Sequence, residues 1–103
     1  MYIAHVEAQV ADAGAVRSRR MFGEYMVYVN DKPLLLVCDN TVFVKMRPEL
    51  AHLMAAADTA VPYPGAKPHY LLDIDNRALC LRVLSILAPI TPLPARRARK
   101  PAK

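Results

Sequence analysis

A chain of 103 residues, 54% apolar and 22% charged, can build one domain with a modest core and cannot be disordered throughout. Its net charge of +5 is unevenly placed: residues 1–95 carry nine Lys and Arg and all nine Asp and Glu, so Arg96, Arg97, Arg99, Lys100 and Lys103 supply the whole excess. A domain that is basic all over is thereby excluded, and a neutral body with a cationic tail is described.

Residues 2–13 repeat apolar side chains at Ile3, Val6 and Val10, the spacing of one helix face, and Gly14 stands where a helix end with positive φ is wanted. Val16–Phe22 reads as an extended entry in which Arg17, Arg19 and Met21 alternate with Ser18, Arg20 and Phe22. Gly23 interrupts it. An isolated glycine in a strand predicts a bulge, so residues 16–29 read as one long strand bent at Gly23.

The clearest stretch follows. Tyr25–Val29, Pro33–Cys38 and Thr41–Met46 are runs of Val, Leu, Tyr and Phe that suit a packed pleated surface. Asn30-Asp31 and Asp39-Asn40 link them, and these side chains tolerate the positive φ of primed hairpin turns. An antiparallel meander is the expectation.

After Met46 the period changes. Pro48, Glu49 and the stripe Leu50, Leu53, Met54, Ala57 predict a short second helix. Thr59–Val61 reads as a brief strand. Pro62–Pro68 is a stiff loop whose Pro64-Gly65 fits the centre of a type II turn. His69–Leu72 resumes as a strand, Asp73 or Asp75 is the expected helix cap, and a last helix runs from Asn76 to about Leu87, where Pro89 ends it. The result is an α+β domain over residues 1–90, ordered helix, three strands, helix, two strands, helix. Residues 91–103 form a proline-bearing, basic, flexible tail.

Catalytic constellations are sparse. Ser18 and Ser85 lie outside any nucleophile-elbow context, no glycine loop cradles phosphate, and His5, His52 and His69 sit on separate elements without metal-ligand spacing. Neither metal nor cofactor is expected, nor an enzyme. Cys38 and Cys80 read as buried thiols in a reducing compartment. No signal peptide precedes the first helix and no apolar run reaches a membrane span, so a cytoplasmic protein is expected. Arg17, Arg19 and Arg20 form the densest charge cluster of the body, either a contact surface for phosphate or an acidic partner, or solvated strand charges. Leu79, Cys80, Leu81, Val83, Leu84, Ile86 and Leu87 make the last helix too apolar for one buried face; a homodimer interface and burial within the chain both account for that.

Arg20-Met21-Phe22-Gly23-Glu24-Tyr25, Leu36-Val37-Cys38-Asp39, Val42-Phe43-Val44-Lys45 and Pro62–Pro68 occur in this order, and the chain resembles the N-terminal domain of the TfoX/Sxy family from about Val16 to Leu72. The resemblance implies a two-layer fold like that of secretion chaperones, in an N-terminal-domain-only member. Met21, Phe22, Gly23, Pro64 and Gly65 then count as structural motif residues. It also implies a setting in bacterial competence for DNA uptake, where regulators of this family act with the cyclic-AMP receptor protein at promoters, and it brings no catalytic residues. The functional expectation is a non-enzymatic regulatory domain with a protein partner and weak nucleic-acid contact through Arg96, Arg97, Arg99, Lys100 and Lys103, with Arg17, Arg19 and Arg20 as further candidates. The alternative is a small dimeric adaptor, chaperone-like, with no nucleic-acid role.

Overall fold

A computed structural model describes residues 2–21 and 23–93. The elements run α1 (Tyr2–Gln9), a 3-10 turn (Ala11–Ala13), β1 (Val16–Met21), β2 (Glu24–Val29), β3 (Lys32–Cys38), β4 (Thr41–Lys45), a second 3-10 turn (Pro48–Leu50), β5 (Thr59–Ala60), β6 (His69–Leu72) and α2 (Arg77–Ile90). The strands form one antiparallel sheet in the order β1-β2-β3-β4-β6-β5. The domain is α+β.

The meander forms as its turn residues dictate. Asn30, Asp31, Asp39 and Asn40 have φ of 51°, 68°, 51° and 55°, the left-handed values that both central positions of a type I′ turn require. Val29 is thereby set against Lys32, and Cys38 against Thr41. Pro64-Gly65 also behaves as expected: Ala66 N–H donates to Tyr63 O at 3.1 Å across the turn, and Gly65 has φ +88°.

Four expectations are corrected. Gly23 does not bend one long strand; it belongs to the reversal between two, since Met21 pairs with Glu24 and Val16 with Val29. Gly23 has φ +84°, and a lone glycine in a charged run marks a bulge and a tight turn equally well. The expected second helix shrinks to the 3-10 turn Pro48–Leu50 followed by further turns. Leu50 and Ala51 bond back three residues, and Met54 N–H to Leu50 O is an isolated helical bond. The stripe still does its packing work, with Leu50 and Met54 buried, but so short a segment does not gain enough bonds to sustain a helix. The cap of α2 is Asn76, whose side chain accepts from Leu79 N–H at 3.1 Å, while Asp73 is spent on Asp75 N–H. Finally, α2 passes through Pro89 to Ile90. A proline so near a helix end removes only one intrahelical bond, and Lys32 Nζ donates to Ala88 O at 2.6 Å, placing a cation where the helix dipole is negative.

Strand alternation divides the sheet. Val27, Val29, Leu35, Val37, Val42, Val44, Tyr70 and Leu72 share one face and are buried. Ile3, Val6 and Val10 of the first helical segment and Cys80, Val83, Leu84 and Leu87 of α2 belong to the same core. Each such aliphatic side chain contributes roughly 1.5–3 kcal/mol through burial. The surplus of apolar residues on α2 is largely taken up in this way, with Leu79, Leu81 and Ile86 half-buried. Polar bonds tie α1 and its turn to the neighbouring elements: His5 Nε2 to Asp75 at 2.8 Å, Gln9 Nε2 to Ile74 O at 2.9 Å, Asp12 to Arg77, and Ser18 Oγ donating to Glu7 at 2.7 Å. Among the described residues, no helix is long and apolar enough to cross a membrane.

Candidate functional site on the open sheet face

The other face of the sheet carries Arg17 and Arg19 of β1, Met26 and Tyr28 of β2, Leu36 of β3, Phe43 and Lys45 of β4, and His69 and Leu71 of β6. Leu36 and Phe43 are each only 7% exposed, yet they lie outside the main core cluster.

A groove forms on this face because β3 changes direction. Val27 faces Leu35 but Tyr28 faces Pro33, so Leu34 is an extra residue, a β-bulge. Beyond Leu36 and Phe43 the pairing of β3 with β4 ceases, and Val44 and Lys45 pair with β6 alone. The opening holds a groove of about 710 Å³, with Met26, Leu36 and Phe43 on its floor and Leu87 and Ile90 of α2 reached through the gap. Residues 91–93 border it. Tyr63 and Leu93, two of the few large apolar side chains that are strongly exposed, also line it.

One end of the groove is cationic, with Lys45, Arg47 and Lys67 among its lining residues. Arg47 lies 3.6 Å from Glu49. Among the described residues, no carboxylate lies within 4 Å of the Lys45 or Lys67 ammonium group. His69, set beside Lys45 in the ladder, is held by Lys67 O at 2.8 Å from Nδ1, which donates, and by edge-on packing with Phe43 at 6.4 Å. The Pro64-Gly65 turn sets Tyr63 and Lys67 at this end.

The three arginines of β1 do not form one patch. Arg17 lies 4.2 Å over the Tyr28 ring and pairs with Asp31 at 3.3 Å. Arg19 shares that open face, and Arg20, one residue on, faces the opposite side. Met21 is the last residue of β1, while Phe22 and the tail cations Arg96, Arg97, Arg99, Lys100 and Lys103 lie outside the described residues. Cys38 and Cys80 are free thiols; burial, followed by the nearby Asp73 and Asp75, pushes the Cys80 thiol up to about 11. Among the described residues, no three His, Cys, Asp or Glu side chains converge as a metal site would require.

Sequence reasoning missed the groove, although one signal was present. Leu34-Leu35-Leu36-Val37 is continuously apolar, and such a strand is covered on both faces.

An antiparallel sheet whose inner face shares a core with the helices, and whose other face bears a groove, makes a small α+β domain. The TfoX N-terminal domain matches residues 8–77 of the chain, and the protein belongs to that family. A relative from Spirochaeta aurantia, described as an uncharacterized 12.7 kDa protein in the trpE 5' region, is 32% identical over 101 residues, covering 96% of this chain and 88% of the relative.

Proposed function

We propose that this protein is a non-enzymatic regulatory domain of the competence-linked, transcription-associated kind that its family's name denotes, with weak nucleic-acid contact through its C-terminal cations. The observation that carries this reading is the charge distribution: a neutral body of TfoX type, followed by Arg96, Arg97, Arg99, Lys100 and Lys103 without an acid among them. Such cations meet phosphates without reading sequence. If all five engage, log affinity falls against log salt with a slope near about −4.5.

The test is a salt titration of DNA binding by the full chain and by a version ending at Pro94. Retention by the full chain alone supports the proposal. Equal binding by both would move the contact to Arg17 and Arg19 on the open sheet face. Absence of binding by either at low salt would leave a second reading, a cytoplasmic partner-binding adaptor, in front. The sheet face opposite the helices, with its groove, favours that reading. A homodimer belongs to it as a proposal, and sedimentation at a mass of 11.5 kDa would dispose of the dimer.

A further inference from the structure

We propose that the groove on the open face of the sheet binds an amphipathic small molecule, an apolar chain ending in a carboxylate. The site goes beyond the regulatory reading, which needs only the tail. Its volume of about 710 Å³ lies within the roughly 300–1,000 Å³ of small-molecule sites, and an apolar floor with a few polar groups gathered at one place is their usual make-up.

Charge fixes the class of ligand and its direction. Lys45 and Lys67 present ammonium groups that, among the described residues, have no carboxylate within 4 Å. Both residues are exposed, so neither cation is compensated by burial with a partner. A carboxylate between them gains charge-assisted hydrogen bonds. The acid lining the groove is Glu24 at the start of β2. Through the ladder Tyr25–Val37–Val42 it is level with Thr41, four residues from Lys45 along the strands, on the order of 13 Å, and two strands across. Glu24 repels an anion, so the head group is held at Lys45 and Lys67 and the chain runs over Phe43 and Leu36 toward Met26. The gap left by the Leu34 bulge admits the chain to Leu87 and Ile90. The protein's own C-terminal segment is the wrong occupant, because its five cations meet a wall of the same sign.

The experiment uses the full chain labelled with ¹⁵N and titrated with decanoate, with decanol and acetate as partners lacking the charge or the chain. The expected result is saturable amide shifts at Met26, Leu36 and Phe43 with decanoate, and far weaker ones with either control. Lys45→Gln combined with Lys67→Gln should weaken decanoate by at least roughly tenfold, the equivalent of one charge-assisted bond, while the spectrum keeps its dispersion. Should the double variant lose its dispersion, Lys67→Gln alone, in the loop, reads the same loss. Decanol binding as tightly as decanoate, undiminished binding by the variants, shifts confined to other elements, or no shifts at all would each overturn the proposal.

Discussion

A Cβ added to Gly14 would come within 2.5 Å of the Asn30 side-chain amide, whereas one added to Gly23 would meet nothing within 4 Å. Both glycines have positive φ, so the two positions separate backbone strain from collision. Gly23→Ala should cost about 1 kcal/mol, the penalty for an L residue in that region. Gly14→Ala should cost clearly more, because Asn30 holds the Ala15 backbone from both sides, Oδ1 accepting from its N–H at 2.9 Å and the Asn30 N–H donating to its carbonyl at 2.8 Å. Thermal melts of the two variants decide this; equal losses would show that Asn30 simply swings away. Cys80 offers a second residue-scale test. It is fully buried, with its Sγ 3.4 Å from Asp73 O, and its pKa is raised from 9.0 to about 11. At pH 8 an alkylating reagent should label Cys38 well before Cys80, although burial and then Asp39 and Glu24 also raise Cys38. A neutral buried thiol contributes its stability fully below pH 9.0, and that contribution is lost as pH rises toward about 11. The stability gap between wild type and Cys80→Ala should therefore narrow over that window in denaturant titrations.

Among the elements, those set by local chemistry were legible in the sequence. Two Asx pairs announced the meander, and Pro64-Gly65 announced its turn, because positive φ is required of the residues themselves. The elements set by distant packing were not. The Leu50–Ala57 stripe carries helical spacing and packs on the core, with Leu50 and Met54 buried and Leu53 and Ala57 partly so, yet nothing local supplies the remaining helix. Past Pro89 the end of α2 is bonded by Lys32, more than fifty residues earlier, a partner that no local rule finds. Replacing Lys32 by Met keeps the aliphatic stem and removes the cation from Ala88 O. The expected loss is about 1 kcal/mol, a fall in Tm of roughly 4–8 °C. Hydrogen exchange at Ile90 and Thr91 should quicken more than at Val83; an unchanged melt would show that the helix end holds without this bond.

At the scale of the molecule, the core residues and the sheet's inner face followed from alternation, but the candidate site did not. A groove made by a bulge at Leu34 and a separation of β3 from β4 is a fact of register, and register is set by the whole sheet. Cations from Lys45 on a strand and Lys67 in a loop meet there only after folding. The tie between α1 and the segment before α2 has a consequence for synthesis. His5 and Gln9 find their partners about seventy residues later, at Asp75 and Ile74. When the ribosome has made the hairpins through β4, the inner face formed by Val27, Leu35, Val37 and Val42 has only the first helix to lie against. The cover supplied by Val83, Leu84 and Leu87 has still to be translated. For those seconds the nascent sheet is a sticky surface, and the molecule becomes safe from its neighbours only once α2 clears the exit tunnel.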